Sequence, residues 1–274
     1  MKIKSIKKLT EVYDRYDLTV STTNNFYANG ILIHNTSQRV AKNIEVRPLK
    51  WWEKIINRFT KIDNKSVAIL NGTRRVILNN NGKRATGFHP DNLRDEAAAR
   101  ITPYLDDYMH VYFEVVGWES FDSTIMPGSS MSKIIDKEAK KMYPEKIEYT
   151  YGCPKGTFEI YVYRISHVLP SGKEIDMLWE DVKKWCTHYG IKHVPEVETF
   201  IYDGDKDTLV KRIEALAEGK DPIAPTQPKE GVCVRIDSNR WQCFKEKQFL
   251  FKVLEGIAKE NDNYTDIEEE AAQQ

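Results

Sequence analysis

His34, Asn35 and Thr36 stand consecutively in the stretch "FYANGILIHNTS", and together they can break and remake a backbone. An asparagine side-chain amide can attack its own carbonyl carbon, closing a succinimide and cleaving the chain after itself. Imidazole titrates near neutral pH, so His34 can protonate the departing amide or polarise the scissile carbonyl. Thr36 supplies a β-hydroxyl that can hold an acyl group as an ester and pass it to its own freed amine. Farther along lie two carboxylates and two ammonium groups at strand positions. Glu114 falls at the end of "HVYFEVVGW" beside Gly117, Glu230 at the mouth of "KEGVCVR", and Lys245 and Lys247 in "FKEKQF". The two-residue period of a strand puts both lysines on one face.

The elements that must position these groups read as α+β. Residues 1–35 are β-like: "YDLTV" alternates, and Asn29-Gly30 between apolar flanks is a two-residue hairpin signal. So short a piece cannot bury a core of its own and needs a partner. From residue 36 on, strand-like runs ("KSVAIL", "RRVIL", "HVYFEVVG", "FEIYVYRI", "EGVCVRI", "WQCFKEK") outnumber helix-like runs at 91–106, 132–143, 177–189 (closed by Gly190) and 206–218. The two kinds do not alternate regularly, which favours an α+β sheet over a doubly wound one. "DPIAPTQPKEG" is a proline-punctuated loop entering a strand. The apolar Trp51-Trp52 pair in a long segment after Thr36 is read as core in preference to a substrate platform.

Composition narrows the class. With 274 residues, 41% hydrophobic and 30% charged, the chain belongs among globular proteins. Its basic start has no apolar core of a secretory signal, and no run approaches a membrane span, so a cytoplasmic protein without a membrane partner is expected. Cys153, Cys186, Cys233 and Cys243 lack CxxC spacing and read as buried thiols. His110, His167, His188 and His193 show no ligand spacing. Net charge is zero, but residues 259–274 hold six acids and one lysine, leaving 40 basic against 35 acidic residues elsewhere. A modestly basic body is compatible with nucleic acid, and the tail (257–274) reads as a solvated, disordered run.

The tripeptide His-Asn-Thr alone occurs in ordinary loops; "YDLTV", "NF" and "ANGILI" upstream make it specific. The whole segment "YDLTVSTTNNFYANGILIHNT" resembles the carboxy-terminal blocks of inteins. The resemblance implies that residues 1–35 are the carboxy half of a split intein, the β segment of a Hint-type fold, with Thr36 the first downstream residue. Thr23 and Asn24 stand where inteins often carry a histidine or aspartate before the "NF" step. An amino-terminal intein partner is then required.

From Thr36 to about residue 256, the order of Glu114, Glu230 and the Lys245/Lys247 pair resembles motifs III, IV and V of the covalent nucleotidyltransferases, most closely phage-type RNA ligases. Thr36-Ser37 resembles the end of that group's first motif, whose nucleophilic lysine would therefore lie on the partner polypeptide. "NGTRRVIL" resembles the ribose- and phosphate-contacting arginine segment, with Arg74 or Arg75 the contact, and "YVYRI" the aromatic motif in which Tyr163 covers adenine. The resemblance implies an incomplete nucleotidyltransferase domain with an ATP-grasp-like antiparallel sheet over 36–256. It implies ATP with Mg²⁺ or Mn²⁺ as cofactors, with Glu114 and Glu230 as metal and ribose ligands and Lys245 and Lys247 as phosphate contacts. Fewer than thirty residues follow Lys247, which leaves no room for the OB domain of DNA ligases and capping enzymes. The expected function is a trans-splicing precursor of an ATP-dependent RNA ligase joining 5′-phosphate and 3′-OH ends, in the cytoplasm of a phage-infected bacterium. A minimal DNA ligase after splicing, or a catalytically inactive nucleic-acid-binding relic, are the alternatives.

Overall fold

Alternation at a period of two builds the central sheet. In the strand around Glu114, Met109, Val111, Phe113 and Val115 are buried while His110, Tyr112 and Glu114 between them are only half-buried. The computed structural model describes residues 37–73, 77, 79–80, 83–84 and 91–256. The intein-like segment 1–35, Thr36, Arg74, Arg75 and the 257–274 tail lie outside the described residues.

In chain order the elements are β1 (Ser37–Val46), α1 (Trp51–Ile56), β2 (Lys65–Thr73), β3 (Asn79–Asn80), β4 (Lys83–Arg84), α2 (Asp91–Ala99), β5 (Met109–Gly117), β6 (Ser129–Ser130), α3 (Lys137–Met142), β7 (Lys146–Ile147), β8 (Phe158–Val168), β9 (Glu174–Asp176), α4 (Trp179–Tyr189), α5 (Lys206–Ala217), β10 (Gly231–Arg235), β11 (Cys243–Lys247) and α6 (Phe249–Glu255). Five strands form an antiparallel sheet in the order β2-β1-β5-β8-β9, and β10 pairs with β11 in a separate two-stranded sheet. The α+β expectation with an antiparallel sheet holds.

One face of the large sheet carries the main core. Val40, Val111, Phe113, Ile160, Val162 and Ile165 pack there against Leu93, Ala97 and Ala98 of α2 and Val182 and Cys186 of α4. The last two are four residues apart, one helical turn, and both are fully buried. Gly190 ends α4 in the left-handed conformation at φ 66°, donating its N–H to the carbonyls of Cys186 and Thr187. A second core joins Met126, Met131, Ile134 and Tyr149 to Phe251 and Leu254 of α6.

Four expectations change. The run at 91–106 stops being α-helical at Ala99, and Pro103 lies in a separate 3₁₀ turn, Thr102–Tyr104. The run at 132–143 is α-helical only from Lys137, where the Asp136 carboxylate caps the N–H groups of Glu138 and Ala139. Trp51 and Trp52 are not core: they stand 75% and 44% exposed. Only two of the four cysteines are buried, since Cys233 is exposed and Cys243 intermediate.

Candidate active site

Several of the candidate side chains line the face of the large sheet opposite the main core. β1 crosses β5 so that Ser37 lies opposite Glu114, and β8 places Tyr161 opposite Glu114 on the other side. The pairing of β5 with β8 then slips: Tyr112 faces Arg164 but Phe113 faces Val162. Tyr163 is the extra residue of that bulge. Core positions on β8 accordingly fall at Val162 and Ile165, three apart instead of two, which leaves Tyr163 and Arg164 both on the site face. The Tyr163 hydroxyl is 2.9 Å from Ser37 Oγ, and burial beside Glu114 pushes its pKa well up.

An aromatic and guanidinium array surrounds that ring. Tyr112 and Trp241 lie with ring centroids 6.3 and 6.2 Å from Tyr163. The Arg164 guanidinium sits over the rings of Tyr112 (4.4 Å) and Trp241 (5.0 Å). Arg164 is fixed from behind by Asp176 (2.5 Å) and Glu174 (3.0 Å), and Glu174 also accepts from Tyr112 Oη (2.9 Å) and Ser166 Oγ (2.6 Å). The ring positions are therefore set by a polar network anchored on the buried Asp176, not by rotamer choice alone.

The β10–β11 hairpin supplies the charged wall. Gly231 sits at φ +148°, where an added Cβ would collide with the Glu246 carbonyl and lie 2.7 Å from Lys247 Cα. Only glycine lets the chain turn there, and Glu230 immediately precedes it. The Gln248 N–H donates to the Glu230 carbonyl at 3.1 Å. Opposite one another on the hairpin stand Cys233 and Lys245, and then Arg235 and Cys243. Crowding pulls the Lys245 ammonium down, but the negative fields of Cys233, Glu114 and Glu230 outweigh it, and its pKa is raised. Lys245 and Cys233 are open to solvent.

Glu114, Glu230, Lys245 and Tyr163 are thus brought into one electrostatic neighbourhood. Lys247 shares the register but not the environment: its Nζ is 2.6 Å from Glu255 of α6, with both side chains 13% exposed. Trp241, Arg164 and Cys233 join the site without having been singled out. Their signal was "YVYRI", "EGVCVRI" and "WQCFKEK", where each looks like an ordinary strand residue. Arg94 of α2 is a further addition; burial lowers its pKa, and the fields of Glu114 and Glu119 oppose that shift.

An antiparallel sheet whose bulged strand sets a tyrosine beside Glu114, together with a lysine-bearing hairpin, is the layout of a nucleotidyltransferase-like domain. The sequence profile of the RNA ligase family matches residues 20–254, and the chain belongs to that family. The match begins at Val20, inside the segment that resembles an intein. Similar solved structures include a mutant of Naegleria gruberi RNA ligase with ATP and Mn (14% identity, 82% of this chain and 50% of that chain, TM-score 0.44) and the same ligase with PPi (14%, 80% and 48%, TM-score 0.43). The chain spans about half the length of those proteins. Comparison with curated proteins gave no match. No helix among the described residues is long and apolar enough to cross a membrane.

Proposed function

We propose that this chain is the carboxy-terminal part of an ATP-dependent RNA ligase, joined to its amino-terminal part by protein splicing. The observation that carries the ligase reading is the grouping of Lys245 with the carboxylates of Glu114 and Glu230, with Glu114 also beside the bulged Tyr163, in a member of the RNA ligase family. Among the described residues Lys245 makes no direct ion pair, so its ammonium is available to a phosphate. A lysine on the partner polypeptide attacks the α-phosphate of ATP and expels pyrophosphate, giving lysyl-AMP. The adenylyl group then passes to an RNA 5′-phosphate, and a 3′-OH displaces AMP to seal the strand.

In these steps Lys245 offsets the negative charge that builds on the transferring phosphate. Tyr163, flanked by Trp241, gives adenine an aromatic face, and Arg74 contacts ribose or phosphate. Lys247 serves the phosphates only by leaving Glu255. The donor set fits a hard divalent cation. Among the described residues no three His, Cys, Asp or Glu side chains form a complete cage, and a carboxylate pair is what Mg²⁺ or Mn²⁺ uses when water and substrate phosphate fill its remaining positions. Glu114 and Glu230 would hold that ion, which supplies further charge neutralisation.

The splicing reading rests on the intein-like sequence of residues 1–35. Asn35 cyclises and releases the chain after itself, His34 assists by proton transfer, and Thr36 carries the acyl group before the peptide bond forms. Asn35→Ala should block cleavage at the 35/36 bond in the presence of the partner, and a free fragment beginning at Thr36 would overturn it. Incubation of the unspliced chain with α-labelled ATP and Mg²⁺ should give no covalent label, whereas the spliced product should give an acid-labile one. Sealing of nicked RNA in preference to nicked DNA by that product separates the RNA ligase from a minimal DNA ligase. No label even after splicing would indicate an inactive relic.

A further inference from the structure

The β1–β2 hairpin overruns the sheet it belongs to. β5 pairs with β1 only over Ser37–Ala41, while β2 accompanies β1 to its end at Val46 opposite Lys65. The distal half of the hairpin and the connection 47–64 therefore form an arm. At about 3.3 Å per residue, its tip lies roughly 30 Å along β1 from Ser37 and the nucleotide site.

The arm's connection is internally braced. The Arg47 guanidinium grips both oxygens of Glu53 at 2.7 and 2.8 Å, and the Lys50 N–H donates to the same carboxylate at 2.7 Å. The Arg47 N–H donates to the Asn64 carbonyl at 2.9 Å, and the Ile62 N–H to Asn57 Oδ1 at 2.8 Å. Glu53 is buried, so its charge is spent inside the arm. What faces outward is different. Trp51, Ile55 and Phe59 recur every four residues, and the helical turn continues past α1 through the Thr60 N–H to Ile56 carbonyl bond, so they share a stripe. Lys50, Lys54 and Arg58 form the adjoining stripe by the same spacing, followed by Lys61 and Lys65. Trp51 is 75% and Phe59 86% exposed. Among the described residues, Lys54, Arg58, Lys61 and Lys65 make no ion pair.

We propose that the outer face of this arm is a docking platform for an unpaired stretch of RNA, whose bases stack on Trp51 and Phe59 while Lys54, Arg58, Lys61 and Lys65 neutralise its phosphates. Exposed rings interleaved with uncompensated cations are what single-stranded nucleic acid selects, because every base has a π-face and every phosphate a charge. A patch of this apolar content held out on a braced arm is left exposed and joins none of the cores formed by the described residues. A second copy of the chain is a poor occupant, since a symmetric contact would set like-charged stripes against each other. The platform rests on the RNA ligase reading. Its distance from Ser37 makes it a grip on the strand away from the reacting ends, so it acts on RNA affinity and leaves self-adenylation alone.

The test is fluorescence anisotropy of a labelled single-stranded RNA of about 20 nucleotides with the 274-residue chain, titrated at several salt concentrations. Trp51→Ala/Phe59→Ala should weaken binding tenfold or more while the salt dependence keeps its slope. Lys54→Ala/Arg58→Ala/Lys61→Ala should flatten the slope of log K against log salt by about 2, since each lost phosphate contact on a single strand accounts for roughly 0.7. RNA should also protect Lys54 and Lys61 of the unaltered chain from reductive methylation, a readout independent of how the variants fold. Wild-type affinity and slope in both variants, or absence of protection, overturns the platform. So does a result in which the variants lose binding to anionic vesicles, or self-association in sedimentation, but keep RNA. Labelling of the spliced protein with α-labelled ATP is run beside these. Normal labelling without arm-dependent RNA binding removes the platform alone, and arm-dependent binding without labelling removes the ligase reading alone.

Discussion

Lys245 and Lys247 look equivalent in sequence, and replacing each by alanine should produce two different failures. The Lys247 ammonium is paired with Glu255 at 2.6 Å with both side chains 13% exposed. Exposed ion pairs contribute at most about 1 kcal/mol and breaking a fully buried one costs about 3–5 kcal/mol. This pair lies between, so Lys247→Ala should cost about 1–3 kcal/mol, which for a domain of this size lowers Tm by roughly 3–10 °C. Lys245 is open to solvent and makes no direct ion pair among the described residues, so Lys245→Ala should stay within about 0.5 kcal/mol of the parent. Its loss should appear instead in nucleotidyl transfer by the spliced enzyme, by about 10²-fold, the scale for removing one charge-stabilising group. The assays are thermal melts of the chain and single-turnover labelling of the spliced product, with Glu255→Gln and the Lys247/Glu255 double variant completing a cycle. A coupling near zero in that cycle, or an equal fall of Tm for both lysines, would refute the division of labour.

Further outcomes follow from other parts of the site and arm. Gly231→Ala forces a Cβ against the Glu246 carbonyl at φ +148°; the melt should fall by the equivalent of about 1–3 kcal/mol, and ATP binding should be lost because Glu230 moves with it. Cys233, exposed and held below its usual pKa by the adjoining Cys243 thiol and the Lys245 ammonium, should be the first thiol alkylated by iodoacetamide, as mapped by peptide mass spectrometry. Cys186, pushed by burial to about 12, should stay unmodified, and ATP should slow the reaction at Cys233 beside Lys245. Glu53 is held by Arg47 and the Lys50 N–H at about 2 against its usual 4.5. A depressed carboxyl pKa stabilises the fold above the unfolded value and loses that contribution as pH falls through the folded one, so the arm should stay closed at pH 5 and open between about 4 and 2, read by tryptophan fluorescence. Glu53→Gln should remove that step.

How far the sequence reaches can be judged residue by residue. The strand positions of Glu114, Glu230 and Lys245 were legible because strand alternation is a local signal, and Gly190 marked the end of α4 in the same local way. Tyr163 was legible as an aromatic position, but its aim was not. That depends on a slip between two strands whose nearest partners, Tyr112 and Arg164, are some fifty residues apart, and no window along one strand contains it. The Trp51-Trp52 pair misled because buried is the usual fate of indole rings. What exposes them is the length mismatch between β1 and its neighbour β5, a property of pairing. Cys233 and Cys243, ten residues apart, became neighbours only once the hairpin register was known.

The same distinction bears on how the two sides of the candidate site are held relative to one another. Its two walls belong to different sheets, with Glu114 and Tyr163 on the large one and Glu230 and Lys245 on the hairpin, so no strand ladder sets the gap between them. It is set by the turn between β10 and β11, which docks on the stretch joining β9 to α4. There the Asp176 N–H donates to the Asn239 carbonyl at 3.1 Å, the Trp179 N–H donates to Asp237 Oδ1 at 2.8 Å, and Arg235 reaches the Met177 carbonyl. Asp176 also anchors Arg164, whose guanidinium lies over Trp241 in that turn. One buried carboxylate segment therefore fixes both the aromatic floor of the site and the position of its charged wall. A substitution that loosens the turn, such as Asp237→Ala, should weaken nucleotide binding without touching any residue that contacts the nucleotide. Unchanged ATP affinity in Asp237→Ala, with the hairpin shown intact by hydrogen exchange, would mean that the walls are positioned from elsewhere.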